Sequence, residues 1–111
     1  MRTQARVVVI GGGVVGVGTA YHLTKKGWSD VVLIERKELT SGSTWHAAGL
    51  LPLFNMSYSA GQLHKYSVKL YKQLEKETGQ HVGFRQVSNI RLARTRDRLD
   101  EYRFYAGVAT T

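Results

Sequence analysis

The 111-residue sequence contains no cysteine and a single proline. Without thiols, the chain has no disulfide bonds, thiolate zinc sites, cysteine nucleophiles or iron–sulfur clusters. The lack of cysteine favours a reducing compartment, and we expect a cytoplasmic location with no signal or transit peptide. The longest apolar stretch, residues 7–20, is too short and too glycine-rich to cross a bilayer. We therefore expect no membrane partner.

Acidic residues are scarce: the sequence has 8 Asp and Glu but 16 Lys and Arg, which gives a net charge of +8. Such a balance can indicate a polyanionic partner, either nucleic acid, a membrane surface or a phosphorylated cofactor. The basic residues are scattered, which is typical of a solvated surface, and no nucleic-acid-binding module is recognisable. The histidines His22, His64 and His81 have no metal-ligand spacing, so we expect neither nucleic acid nor metal.

Hydrophobic patterning predicts a strand–helix–strand unit at the beginning of the chain. Val7–Ile10 and Val31–Ile34 are short β-branched runs, which predicts strands that are buried on both faces. Between them, apolar residues recur at helical spacing over 14–26, and Gly27 follows as a helix stop. This order predicts an α/β fold, the Rossmann-like βαβ start of a doubly wound parallel sheet.

Later segments predict two more helices and one more strand. A helix is expected over 61–78, with a capping box formed by Ser59 and Gln62. A strand is expected over 86–93, and a helix from residue 95 to the end. Two or three strands are too few for a doubly wound sheet. We therefore expect the sequence to be an incomplete fragment of a longer domain.

A glycine-rich loop, Gly11-x-Gly13-x-x-Gly16, follows the first strand and opens the first helix. Gly11 permits a tight turn, Gly13 lets the backbone approach a diphosphate, and Gly16 allows close packing of helix on strand. The amides of the first helical turn and the helix dipole then attract the anion. Glu35, at the end of the second strand, is placed to accept hydrogen bonds from ribose hydroxyls. Together these features predict dinucleotide binding.

Several nucleotides satisfy this first motif. A P-loop nucleotide is excluded, because no Gly-Lys-Ser/Thr follows the glycines. Glu35 disfavours NADP by repelling its 2′-phosphate, although Arg36 and Lys37 keep NADP open. NAD, FAD and a methyl-donor nucleotide are all compatible with the motif alone.

A longer pattern narrows the choice of nucleotide. The glycine loop, Ala20, Leu23, Gly27 and Glu35-Arg36 together resemble the N-terminal FAD signature of glutathione-reductase-like and amino-acid-oxidase-like flavoproteins. The next loop resembles the corresponding segment of the dimethylglycine and sarcosine dehydrogenases, which belong to the amino-acid-oxidase-like group. Its residues are Gly42-Ser43-Thr44-Trp45-His46-Ala47-Ala48-Gly49-Leu50. The resemblance extends over most of the chain.

This resemblance implies an FAD cofactor, which in that family is joined covalently to the histidine of the second loop, here His46. It also implies that the hydroxyls of Ser43 and Thr44 donate to the diphosphate or the flavin. It identifies no catalytic residue. The cofactor-binding residues that it implies are Gly11, Gly13, Val14, Val15, Gly16, Glu35, Arg36, Ser43, Thr44, His46, Gly49 and Leu50.

The function that the resemblance implies is FAD-dependent oxidation of an N-methyl amine, such as dimethylglycine or sarcosine, by hydride transfer to the flavin. Residues 1–111 would be the N-terminal portion of one FAD-binding domain, inactive and unstable alone. A substrate pocket and a folate-handling C-terminal region would lie beyond residue 111. Two alternatives stay open, namely an NAD-binding dehydrogenase domain and a non-catalytic regulatory subunit with the flavoprotein fold, which we would expect to lack the linking histidine.

Overall fold

The structure, a computed structural model, describes residues 3–110. These residues form two compact units, which follow one another in the sequence on either side of the Gly49–Leu50 peptide bond. The elements in chain order are β1 (Val7–Ile10), α1 (Val14–Lys25), β2 (Val31–Ile34), a single 3₁₀ turn (Ser43–His46), α2 (Tyr58–Thr78) and α3 (Arg96–Thr110).

The first unit is a βαβ arrangement, as the hydrophobic pattern predicts. Strands β1 and β2 are parallel, with Val7 opposite Val31 and Ile10 opposite Ile34, and α1 packs against both. Helix α1 ends where the glycine stop was expected, because Gly27 adopts a left-handed φ of 87°. The parallel pairing brings the carboxyl ends of both strands, and the loops that follow them, to one edge of the sheet.

The prediction that both strands are buried on both faces is wrong for this structure. Alternate residues of β1 are exposed, with 48% of Val8 and 85% of Ile10 accessible to solvent. One helix covers only one face of a two-stranded sheet, and side chains on successive residues point to opposite faces. Among the described residues the sheet therefore has the start of the predicted doubly wound topology but not its second layer.

In the second unit, α2 begins three residues earlier than the predicted range. Its N-cap is Ser57, whose Oγ accepts a hydrogen bond from the amide of Ala60 at 3.4 Å, so the predicted capping box of Ser59 and Gln62 is wrong. Ser57 is the residue with extended backbone geometry, and an N-cap side chain bonds the amide two or three positions later. The helix ends at Gly79, which has a φ of 70°.

The strand predicted over 86–93 is not formed. A β-strand requires a hydrogen-bonded neighbour, and no segment within 3–110 pairs with these residues. Ile90 and Leu92, whose alternation suggested the strand, are 85% and 84% exposed. The alternation therefore describes apolar side chains that stay largely exposed in the described part of the chain.

Helix α3 follows this segment and begins one residue after the predicted position. The Oγ1 of Thr95 accepts a hydrogen bond from the amide of Arg98 at 3.2 Å, in the manner of an N-cap. Phe54 packs edge-on against Tyr102 and Tyr105 of α3, with ring centroids 6.0 and 5.9 Å away. Within residues 3–110, no helix combines the length and the apolarity that a membrane span requires.

Candidate dinucleotide-binding site

The turn between β1 and α1 depends on glycine at two positions. Gly11 has a φ of 107°, which residues with a side chain rarely adopt, and its amide donates to the carbonyl oxygen of Ile34 at 2.8 Å. At Gly16, a Cβ atom would lie 1.9 Å from the carbonyl oxygen of Gly11. The chain can reverse from strand to helix this tightly only because neither position has a side chain.

The N-terminus of α1 presents unpaired amides. Gly13 is the N-cap and makes no side-chain cap, while its carbonyl accepts the amide of Val17 at 2.9 Å. By helix geometry, the amides of Val14, Val15 and Gly16 have no acceptor within the helix. That of Val14 donates to Thr44 Oγ1 at 2.9 Å. The first turn has no acidic residue, so the other two amides and the helix dipole are available to an anion.

Glu35 stands beside this loop, immediately after β2. Its Oε2 accepts a hydrogen bond from the amide of Gly12 at 2.6 Å, and its Oε1 accepts one from Lys37 at 2.9 Å. These two bonds, that from Gly12 foremost, lower the pKa of Glu35 below its ordinary value, so the side chain is ionised at neutral pH. Each carboxylate oxygen can accept further hydrogen bonds, which leaves capacity for the hydroxyls of a ribose.

Gly12 is a residue of this site that the sequence motif did not single out. It is buried, and both of its backbone polar groups are engaged, since its carbonyl accepts the amide of Thr40 at 2.9 Å. A Cβ atom on Gly12 would lie 2.6 Å from Leu39 Cδ2 and 3.0 Å from Glu35 Cβ. The dinucleotide fingerprint requires glycine only at positions 11, 13 and 16 and leaves position 12 open. The additional glycine at position 12, in an uninterrupted run of three, was the feature of the sequence that could have identified it.

Thr40 has an unusual backbone conformation at the start of the second loop. Its φ is 65°, in the left-handed region that a β-branched residue rarely occupies. The hydrogen bond from its amide to Gly12 accompanies this conformation. The segment that follows β2 therefore contacts the glycine loop closely at the cost of local backbone strain.

The second loop contains the 3₁₀ turn Ser43–His46, which presents His46 to solvent. The Nδ1 of His46 lies 3.2 Å from the carbonyl oxygen of Gly42. A carbonyl only accepts, so Nδ1 carries the proton in this hydrogen bond, and Nε2 of the neutral ring keeps its lone pair. The indole of Trp45 lies against the imidazole, with ring centroids 3.8 Å apart. One ring nitrogen of the imidazole is thus bonded to the backbone, and Nε2 takes no part in that hydrogen bond.

The structure brings most of the predicted cofactor-binding residues into the first unit. Hydrogen bonds link the glycine loop to Glu35 and to Thr44, and Arg36 lowers the pKa of Glu35 to a lesser extent, through its main-chain amide first and then through its charge. No hydrogen bond joins His46 to the glycine loop within the described residues. Leu50 belongs to the second unit. Those in the first unit are Gly11, Gly13, Val14, Val15, Gly16, Glu35, Arg36, Ser43, Thr44, His46 and Gly49.

The donors and acceptors present fit an adenine dinucleotide. Two main-chain amides at a helix N-terminus suit a diphosphate, and an ionised carboxylate at the end of the neighbouring strand suits a ribose diol. Within residues 3–110, no three potential metal-ligating side chains converge. The fold and the site thus define a dinucleotide-binding βαβ unit.

The comparison with protein families identifies the family. The model of the FAD dependent oxidoreductase family matches residues 6–110. The chain therefore belongs to the FAD dependent oxidoreductase family, which confirms the resemblance found in the sequence and favours FAD over the other nucleotides.

Characterised relatives are similar over nearly the whole chain. It is 54% identical over 103 residues to dimethylglycine dehydrogenase, mitochondrial, of Rattus norvegicus, which covers 93% of this chain and 12% of that protein. It is 48% identical to sarcosine dehydrogenase, mitochondrial, of Homo sapiens over 102 residues, or 91% of this chain and 11% of that protein. It is also 48% identical to the pyruvate dehydrogenase phosphatase regulatory subunit, mitochondrial, of Mus musculus over 96 residues, which cover 86% of this chain and 11% of that protein. The chain thus spans only about an eighth of the length of these relatives.

Proposed function

We propose that residues 1–111 are the N-terminal portion of one FAD-binding domain, and that the glycine loop holds the adenine-side half of the cofactor. The amides of Val15 and Gly16 would bind the diphosphate at the N-terminus of α1, whose first turn contains no acidic residue. The carboxylate of Glu35 would accept hydrogen bonds from the ribose hydroxyls. The observation that carries this proposal is the pairing of an ionised Glu35 with the first turn of α1, where the amides of Val15 and Gly16 have no acceptor within the helix; the two are joined through Gly12.

We further propose that His46 is joined covalently to the 8α carbon of the flavin. The hydrogen bond from Nδ1 to Gly42 leaves Nε2 as the nucleophile. One C–H bond of the methyl group breaks and an N–C bond forms. A hydride equivalent, that is two electrons and a proton, passes to an oxidant such as dioxygen. The ring would be a cation as the bond forms, and release of its Nδ1 proton to solvent would give the neutral alkylated imidazole and end the hydrogen bond to Gly42.

The activity that we propose for the whole protein is oxidation of a secondary or tertiary N-methyl amine of the dimethylglycine or sarcosine type. Bound FAD would supply the chemistry, by accepting a hydride from the methyl carbon of the amine. The residues of this chain would bind and orient the cofactor. The substrate pocket, and a folate-handling region if one is present, would lie in sequence beyond residue 111. The relatives named for dimethylglycine and sarcosine support this substrate class.

Two further expectations remain proposals. Nucleic acid is not proposed as a partner, because the excess of positive charge is scattered along the sequence. A cytoplasmic location is proposed from the lack of cysteine alone, whereas the relatives above are named as mitochondrial proteins. Cell fractionation followed by detection of the protein decides between the two compartments.

The test of the cofactor uses the longer protein that carries this chain. Titration with FAD and, separately, with NAD should show saturable binding of FAD only, and tighter binding of NAD would overturn the proposal. Acid precipitation then tests the covalent bond, since yellow colour should remain on the polypeptide. His46→Ala should release that colour, and His81→Ala, at another exposed imidazole, should retain it. Colour lost from the unsubstituted protein would reject the covalent bond and leave FAD binding intact.

A second candidate function is that of a non-catalytic regulatory subunit. The similarity to the pyruvate dehydrogenase phosphatase regulatory subunit specifically favours it. The presence of His46 argues against it, since a subunit without redox chemistry has no use for a flavin link. Reduction of a dye by the protein in the presence of dimethylglycine or sarcosine would support the enzyme. Bound FAD that neither amine reduces would support the regulatory subunit.

A further inference from the structure

Thr44 connects the two loops from which the proposed cofactor site is built. Its Oγ1 accepts the amide hydrogen of Val14, the first residue of α1, at 2.9 Å. The same residue lies in the 3₁₀ turn Ser43–His46, and its carbonyl accepts the amide of Ala47 at 3.3 Å. One threonine therefore fixes the turn to the N-terminal end of α1, where the diphosphate is proposed to bind.

The contact is a side-chain N-cap supplied from outside the helix. The N-cap residue itself, Gly13, has no side chain to bond the first amides, and Thr44 supplies the acceptor instead. The glycine is also what allows the approach, because a Cβ on Gly13 would lie 2.9 Å from Thr44 Oγ1. Because the hydroxyl oxygen accepts this bond, its proton is still available for donation to a ligand.

His46 is two residues further along the same turn, and its orientation depends on that turn. The hydrogen bond from its Nδ1 to Gly42 spans the turn from one end to the other. If the turn were not held at Thr44, the distance between Gly42 and the imidazole would no longer be fixed. The proton would then be free to move to Nε2, which would remove the lone pair on that nitrogen.

We propose that Thr44 is a positioning residue, which holds the imidazole of His46 in the Nδ1-protonated, Nε2-free form by anchoring the 3₁₀ turn to the N-terminus of α1. This role rests on the proposed function for its use in flavin attachment. Diphosphate binding at α1 and the orientation of the imidazole are therefore mechanically linked through one side chain.

The experiment compares Thr44→Val and Thr44→Ser in the longer protein that carries this chain. Thr24→Val is the matched control, because it removes a hydroxyl bonded to a backbone carbonyl at the other end of α1. The rate of acid-stable flavin formation is measured at saturating FAD, and the dissociation constant of FAD is measured separately. We expect Thr44→Val to slow attachment about tenfold, to weaken FAD binding less than that, and Thr44→Ser to restore both. Thr24→Val should match the unsubstituted protein.

A second measurement does not depend on FAD. In protein labelled with ¹⁵N-histidine, the ring nitrogen shifts of His46, assigned with His46→Gln, show which nitrogen carries the proton. We expect Nδ1 in the unsubstituted protein and a mixture in Thr44→Val. If the unsubstituted protein does not bind FAD but the tautomer changes as expected, the proposed function fails and the positioning role stands.

The positioning role is overturned by any of three results. Two of them apply when the unsubstituted protein attaches flavin: an attachment rate in Thr44→Val equal to that of the unsubstituted protein, or a loss confined to FAD affinity. The third, an unchanged His46 tautomer in Thr44→Val, applies with or without flavin. If Thr44→Val does not fold, Thr44→Ala removes the same hydroxyl without a new methyl group, and the same comparisons apply to it.

Discussion

The amide of Gly12 donates to Oε2 of Glu35 across the end of the parallel sheet, at 2.6 Å. This contact joins the glycine loop after β1 to the residue that follows β2. It also means that Glu35 has two functions: it holds the loop in shape, and it presents charge at the position proposed for the ribose.

Replacement of the charge at Glu35 should weaken nucleotide binding. Glu35→Gln keeps the length of the side chain but loses the ionised acceptor, and bonds to charged acceptors are the stronger ones. We expect the affinity for FAD to fall about tenfold. Fluorescence titration of the flavin measures this. Glu38→Gln, at a neighbouring exposed carboxyl, should leave the affinity unchanged, and an equal loss in both variants would show that the effect is only one of net charge.

The stability of the fold should depend on pH through the same residue. Hydrogen bonds from Gly12 and Lys37 lower the pKa of Glu35 in the folded state below the ordinary 4.5. The contribution is therefore fully present above pH 4.5 and disappears as the pH falls through the lowered folded-state pKa. In urea unfolding, the unsubstituted protein and Glu35→Gln should differ in the free energy of unfolding at neutral pH. This difference should shrink as the pH falls below 4.5 and through the lowered pKa of Glu35. A difference independent of pH would contradict the assignment.

Replacement of two glycines of α1 by alanine should change the free energy of unfolding in opposite directions. At Gly16 a new Cβ would lie 1.9 Å from a backbone oxygen, which must move. We expect Gly16→Ala to cost about 3 kcal/mol of unfolding free energy or more. At Gly18 nothing lies within 4 Å of a new Cβ, so Gly18→Ala should stabilise the helix by about 0.5–1 kcal/mol. Urea unfolding of both variants checks the pair, and similar changes in both would refute the packing argument.

The start of α2 offers a direct test of the structure against the sequence pattern. Ser57→Ala removes the acceptor for the amide of Ala60 and should cost about 1 kcal/mol. Ser59→Ala, at the position that the sequence predicted as the cap, should have almost no effect, since Ser59 lies inside the helix. Thermal unfolding of the two variants decides between the positions.

The sequence predicted the parts of the fold that local chemistry determines. Runs such as Val7–Ile10 and Val31–Ile34 have few alternatives to a strand, and the glycine spacing marks the turn between β1 and α1. The prediction of a strand over 86–93 was wrong, because alternation specifies which side chains share a face but not whether a neighbouring strand exists.

Some contacts within the site could not be predicted from the sequence for a similar reason. The contacts of Gly12 with Glu35 and Thr40, and of Val14 with Thr44, join residues that are far apart along the chain. No periodic pattern encodes such pairs. The motif identified the glycines and Glu35, and the family resemblance identified Thr44, as separate features; only the three-dimensional structure shows that they support one another.

The double engagement of the Gly12 peptide limits how this loop can be redesigned. A common route to a changed nucleotide preference is to replace the acidic residue after the second strand with a neutral or basic one. Here that exchange would also free the Gly12 amide, while its carbonyl stayed tied to Thr40. A redesign that admits a ribose phosphate must therefore supply a substitute acceptor for the amide of Gly12 in the same step. Otherwise the glycine loop loses the hydrogen bond that holds its conformation.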